Sequence, residues 1–213
     1  MIRIENTEVL GWEAAIRGMR NPLNSWDKSD SDYITEYDEG GWSTDTFIIG
    51  SNDLDLMKRL AAAGTDHSKY RRMITVYLDI VAPLYWWKEF DTYKVGTVTN
   101  SCSTMHKIHA KEFKLDDFSC EHLCKRARFT LLDLIADLNE YRQMYTETKD
   151  KFYWWQMIQL LPSSYNQRRT VQLNYEVLAH MYHSRKSHKL DEWREFCKWV
   201  ESLPYSEIIT GGK

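Results

Sequence analysis

The chain has 213 residues, a formal net charge of −3, an aromatic content of 14% (9 Trp, 13 Tyr, 7 Phe) and only 9 Gly and 4 Pro. That length accommodates one domain with its own core, without disulfide or metal staples, and the scarcity of Gly and Pro excludes collagen-like or low-complexity character and disfavours an all-β sandwich. A slightly acidic chain does not support a general nucleic-acid binder, and a mean hydropathy of −0.58, with no apolar run near the roughly 18 residues of a membrane span, argues against a transmembrane helix.

Ile2 and Ile4 alternate with Arg3 and Glu5, which predicts a short first strand. Val9, Trp12, Glu13 and Ile16 then fall at helical spacing around Ala14-Ala15, and Asn21-Pro22-Leu23-Asn24-Ser25 breaks that helix. Residues 24–46 are polar and carry Gly40-Gly41 near their end, which predicts a long loop of the kind that often carries function. Asn52-Asp53 predicts a helix cap, followed by the stripe Leu54, Met57, Leu60 and Ala61 and a stop at Gly64. Ile74–Ile80 alternates with period two and reads as a half-buried strand. Pro83 suits the first position of a helix carrying Tyr85, Trp86, Trp87 and Phe90.

Beyond Tyr93 the chain turns polar up to Thr104, and helices are predicted over 119–145, 151–161, 170–185 and 190–202. The last two carry the stripes Leu173/Val177/Leu178/Met181 and Trp193/Phe196/Val200. The expected architecture is one α+β domain over residues 1–213, with a small antiparallel or mixed sheet early and helices after it. Met1–Glu5 lacks the basic start and apolar core of a secretory leader. A cytoplasmic chain is therefore expected, with Cys102, Cys120, Cys124 and Cys197 as reduced thiols.

Cys120-Glu121-His122-Leu123-Cys124 groups three soft ligands. It has no second pair to complete a zinc site and reads as ordinary helix cysteines, so no metal is expected. Lys125-Arg126-Ala127-Arg128 and Arg168-Arg169 read as solvated helix faces. No Gly-x-Ser-x-Gly elbow and no phosphate loop of the Gly-x-x-x-x-Gly-Lys type is present. The segment from Lys88 to Thr104 combines hydroxyls, lysines, one Gly and one Asn. It can be read as an anion-wrapping loop or as a polar surface turn.

Several stretches resemble the flavin-dependent thymidylate synthases (ThyX). Leu161-Pro162 is followed by Asn174, Leu178, His180 and Arg185 at spacing similar to the family's Leu-Pro and its Asn-to-Arg helix. Ile80-Val81-Ala82-Pro83-Leu84-Tyr85 resembles the family's strand-to-helix junction, His67 a family His near the flavin, and Ala14-Ala15 the first helix. The likeness spans most of residues 1–203. The family signature is nevertheless altered. Its Arg-His-Arg falls on Thr92, Tyr93 and Lys94, its Ser on Thr97, its Glu on Asn100, its second Ser on Cys102 and its Arg-Tyr on Thr104 and Met105. A shift by one residue would instead match Asn100 and Ser103 to a family Asn and Ser. A uracil-binding Gln is replaced by Glu89, and only Lys88 and Lys94 keep charge where the family has Arg.

The resemblance implies a homotetramer that binds FAD and a dUMP-like pyrimidine nucleotide. It also implies reductive methylation of the base, with methylenetetrahydrofolate and NADPH as co-substrates. By the same mapping Arg185, Lys88, Glu89, Lys94, Thr97, Asn100, Cys102 and Ser103 would bind the nucleotide, and His67, Tyr93 and Asn174 the flavin. Tyr93 is the ring-stacking candidate. The altered signature supports an alternative, a catalytically inactive protein that binds or sequesters nucleotides on the same scaffold. A purely structural oligomeric module is the third reading.

Overall fold

A computed structural model describes residues 2–211; Met1, Gly212 and Lys213, at the ends of the expected 1–213 domain, lie outside the described residues. The chain is α+β, as its sequence predicts. In order it forms β1 (Arg3–Leu10), α1 (Trp12–Arg20), two 3-10 turns (Asn21–Leu23 and Trp26–Lys28), β2 (Asp32–Tyr37), β3 (Ser43–Ile48) and α2 (Ser51–Ala62). A 3-10 turn (Ser68–Met73), β4 (Thr75–Pro83), α3 (Leu84–Phe90) and β5 (Val98–Ser101) follow. After a 3-10 turn at Leu115–Asp117 come α4 (Lys125–Thr148), α5 (Lys151–Leu160), β6 (Asn166–Asn174), α6 (Tyr175–Arg185), α7 (Asp191–Glu201) and α8 (Glu207–Thr210). One sheet has the strand order β1-β4-β6-β5, and β2 and β3 form an antiparallel hairpin of their own.

Contacts group the residues into two units, one holding 2–5, 79–92 and 99–171, the other 6–78, 93–98 and 172–211. In the first unit Ile108, Phe113, Phe118, Leu131, Ile135, Leu138 and Met157 form a core between α4, α5 and the segment before them. The Asn139 amide pins that segment, accepting from Phe113 N at 2.9 Å and donating to Phe113 O at 2.9 Å. Trp86, Trp87 and Phe90 on α3 are all buried. Trp87 Nε1 donates to Gln167 O at 3.0 Å, and the Arg169 guanidinium lies 4.2 Å from the centre of the Trp87 ring.

The second unit buries Ile16, Met57, Ile74, Leu178, Met181, Trp193, Phe196, Val200, Ile208 and Ile209. Gly11 precedes α1 with φ +96, and a Cβ there would lie 2.2 Å from Met73 O. Only Gly allows that close approach. Arg20 and Asp53, both buried, form an ion pair at 2.6 Å. Ser29 Oγ and Ser31 Oγ also donate to Asp53 Oδ2, at 2.7 and 2.6 Å. Burial works against the Asp53 anion, but the hydrogen bonds from Ser31, Ser29 and Arg20 outweigh it and hold the carboxyl below its ordinary pKa.

Four sequence expectations change. Residues 24–46 are not a structureless loop: after a 3-10 turn they build most of the β2–β3 hairpin. The Asn52-Asp53 pair does not cap α2. Asp30 does so from the preceding segment, accepting from Asn52 N at 2.9 Å and Asp53 N at 3.0 Å, which leaves Asp53 for Arg20. The helix predicted from 119 begins at Lys125, so Cys120–Cys124 precedes it. Finally, the first turns of the predicted 170–185 helix belong to β6. Gln167, Val171 and Leu173 are buried at alternate positions, a period-two pattern that polar Gln167 and Arg169 conceal.

Candidate functional site

The strand-to-helix corner at Asn174 gathers one group of predicted site residues in the second unit. Asn174 has extended backbone (φ −137, ψ 167), and its Oδ1 accepts from Val177 N at 3.0 Å, capping α6. At the far end of α6, Arg185 Nε donates to Tyr93 Oη at 2.9 Å. The guanidinium lies 4.9 Å from the Trp193 ring centre and 5.6 Å from that of Tyr93. The Tyr93 ring meets His180 and Trp193 edge-on, at 5.6 and 6.1 Å. Thr97 Oγ1 donates to Tyr93 O, closing a turn that exposes Lys94. The structure thus lays the 93–98 turn along α6, with Tyr93 at Arg185 and Gly96 at Asn174.

Gly96 makes that turn fit. Its φ is +75, and a Cβ there would lie 2.8 Å from Asn174 Nδ2 and 3.2 Å from Val177 Cγ2. Gly96→Ala should therefore push the 93–98 turn off the α6 N-terminus. We expect a loss of about 1–3 kcal/mol in stability, the usual range for strain at a positive φ. Chemical denaturation checks it, and an unchanged midpoint would show that the turn relaxes freely.

His67 is exposed on the turn after α2. The residues that follow tie this turn to the first turn of α6: Ser68 Oγ donates to Glu176 Oε2 at 3.1 Å, and Arg71, buried, bonds the same oxygen through Nε at 2.8 Å. Arg71 also donates to Ile208 O at 3.0 Å. This buried ion pair holds Glu176 two residues from Asn174.

A second group lies in the first unit, around a cavity of about 690 Å³. Cys102 and Ser103 line it, together with Cys120, Lys111, Arg128, Tyr165 and Arg168. The loop is fixed by Cys102 N donating to Arg168 O at 2.9 Å and Gln167 Nε2 donating to Cys102 O at 2.7 Å. Ser103 Oγ accepts from His106 N at 2.8 Å. The hydrogen bond and charge of Asp117, 2.6 Å away, raise the Lys111 pKa. Burial raises that of Tyr165, which keeps its hydroxyl a proton donor. Arg168 is paired with Asp79 at 2.7 Å and Glu5 at 3.2 Å. The cavity wall carries Lys111, Arg128 and Arg168 beside Asp116, Asp117 and Glu121, with hydroxyl and thiol groups alongside.

Other predicted residues stand elsewhere. Lys88 is exposed and Glu89 half-buried on α3, while Asn100 is exposed on β5; none of the three lines the cavity. Arg168 and Arg169 are not on a solvated helix face but on β6, and Arg169 pairs with Asp91 at 2.7 Å. Lys111, Tyr165 and Asn166 line the cavity beyond the expected residues; the run Tyr165-Asn166-Gln167-Arg168 is the sequence signal for it, concealed by its place just before a predicted helix. Among the described residues no group of three or more His, Cys, Asp or Glu is arranged to hold a metal ion. Among the described residues no helix is long and apolar enough to cross a membrane.

No protein-family model and no curated protein matches the chain. Solved structures do. The crystal structure of ThyX from Helicobacter pylori with FAD and dUMP superposes with a TM-score of 0.67 at 17% identity, covering 98% of this chain and 96% of that one. A second Helicobacter pylori ThyX structure, also with FAD and dUMP, gives 0.67 at 16% identity over 97% and 96% of the two chains. The fold is ThyX-like. At that identity the likeness establishes architecture, and chemistry has to be argued from the side chains.

Proposed function

We propose that this chain binds FAD and a dUMP-like pyrimidine nucleotide on its ThyX-like scaffold. What carries the reading is the 93–98 turn laid along α6, with Tyr93 on Arg185 and Gly96 against Asn174, on a fold shared with two solved structures that hold FAD and dUMP. The residues suit such ligands. Arg185 and Lys94 offer cationic donors for phosphate. Gly96 brings the backbone of its turn close to Asn174, which the absence of a Cβ permits. In the other unit the cavity is large enough for a nucleoside monophosphate and offers Lys111, Arg128 and the Cys102–Ser103 loop.

If the chain is an active enzyme, its reaction is reductive methylation of the base, with NADPH and methylenetetrahydrofolate as co-substrates. Bound flavin would supply the redox chemistry. The chain's own groups bind and orient: Arg185 neutralises a phosphate, Asn174 is held in place by its cap to α6, and the hydroxyl of half-buried Tyr165 donates a hydrogen bond without ionising. Assembly as a homotetramer in the cytoplasm belongs to the same reading.

Thr92-Tyr93-Lys94 and Glu89, standing where ThyX enzymes carry Arg-His-Arg and a Gln, favour a second reading: nucleotide binding without turnover. A lysine cannot reproduce the bidentate fork of an arginine. Spectra of purified protein and thermal-shift titrations separate the two. We expect a flavin absorbance band or uptake of added FAD, together with a rise in melting temperature with dUMP. Colourless protein that takes up no flavin but is stabilised by dUMP selects the second reading, and no response to either ligand rejects both.

A further inference from the structure

The β2–β3 hairpin has the character of a docking arm. Eleven of its twelve strand residues are exposed, and only Phe47 is half-buried. Tyr37 and Trp42 near its tip are 74% and 76% exposed. A two-stranded hairpin alone in water is marginal, and sheet edges are usually protected by lysine or proline. Residues 32–48 contain neither. They contain Asp32, Glu36, Asp38, Glu39 and Asp45, with no cation at all. The tip is nonetheless well built. Asp38 Oδ1 accepts from Gly40 N and Trp42 N, both at 2.9 Å, and Thr35 Oγ1 donates to Asp45 at 2.7 Å. An ordered, acidic, aromatic arm that pairs with no other strand suits a basic and apolar counterpart.

The chain itself carries such a surface. The first two turns of α4 present Lys125, Arg128, Phe129 and Leu132, at positions i, i+3, i+4 and i+7 of one helix face. All four are exposed, Phe129 at 56%. Arg126 stands beside them. Arg128 also lines the cavity of the first unit.

We infer that the β2–β3 hairpin of one copy docks on the α4 N-terminal face of a second copy. The carboxylates of the arm meet Lys125, Arg126 and Arg128, and its aromatic side chains cover Phe129 and Leu132. Because Arg128 belongs to both surfaces, the docked arm lies at the mouth of the partner's cavity. The inference names the surfaces behind the oligomer proposed above, and it stands without the flavin and nucleotide reading.

Sedimentation of the full chain tests it, with two charge-reversed variants: Glu36→Lys/Glu39→Lys on the arm and Lys125→Glu/Arg128→Glu on α4. The wild type should associate at low salt and weaken at least tenfold in molar salt. Each variant alone should weaken association at least tenfold. An equimolar mixture of the two should regain it, since each arm then meets an opposite charge. Trp42→Ala should also weaken association while leaving every charge in place. Circular dichroism melts verify that the variants fold. A monomeric wild type overturns the inference and leaves the arm to some other basic partner. Variants that assemble like the wild type, or a mixture that stays apart, overturn it while leaving an oligomer built on other surfaces. None of these outcomes depends on whether FAD or dUMP binds.

Discussion

Replacing Asp53 by Ala should cost about 3–5 kcal/mol, the usual penalty for removing one partner of a buried ion pair. For a chain of this size that is a fall in melting temperature on the order of 10 °C. The magnitude follows from what is left behind. Arg20 Nε loses its acceptor at 2.6 Å in a buried site. The arginine keeps only two backbone acceptors, Ser25 O at 3.1 Å and Lys28 O at 2.9 Å, which do not neutralise its charge. Ser29, Ser31 and the N–H groups of Asp30 and Ser31 lose the same carboxylate. The segment entering the hairpin is therefore released together with the ion pair. Ser29→Ala, which removes one donor of several, should cost about 1 kcal/mol.

The pH dependence has a definite sign. The folded-state pKa of Asp53 lies below its unfolded value of 3.8. Its contribution is therefore fully present above that value and is lost as the pH falls below it, through the folded pKa. The stability gap between wild type and Asp53→Ala should be constant near neutrality and narrow only in strong acid. A gap that closes between pH 5 and 7 would contradict this assignment.

How far the sequence reveals this structure depends on whether each residue's partner is local. The strand at Thr75–Pro83 and the helices at α1, α5 and α7 have their signals within a few residues: alternation, apolar spacing, Pro83 and Pro162. Asp53 was misread because Asn52-Asp53 is a good local capping pair, whereas its actual partner, Arg20, is 33 residues away and Asp30 does the capping from outside. The hairpin was misread for a different reason. Its strands bury almost nothing, so the hydrophobic alternation that marks a strand is diluted by Thr, Asp and Glu. At the site, the helix predicted over 170–185 already joins Asn174 to Arg185, but nothing in the sequence shows that the polar segment holding Tyr93 and Thr97 packs along it. The cavity joins Lys111 to Tyr165 and Arg168, from two segments that only the fold brings together.

Arg185→Ala should weaken nucleotide or flavin binding by about 10- to 150-fold, the equivalent of a charge-assisted hydrogen bond of about 1.5–3 kcal/mol. Its effect on stability should be small by comparison, because the side chain is only half-buried and lies over Trp193 and Tyr93 rather than within the core. Arg185→Lys keeps the charge but loses the planar stack and the fork, so it should fall between the two. Tyr93→Phe isolates the orienting role. It removes the acceptor 2.9 Å from Arg185 Nε and retains the ring, so binding should weaken only several-fold, because the guanidinium keeps its charge and its place over Trp193. The double variant Tyr93→Phe/Arg185→Ala should bind no worse than Arg185→Ala alone, since the hydroxyl acts through the guanidinium. Fluorescence titration with FAD and thermal shift with dUMP measure all four. Additive losses in the double variant would give Tyr93 its own contact with the ligand, as a stacking ring. Unchanged binding by a folded Arg185→Ala would remove α6 from the site altogether.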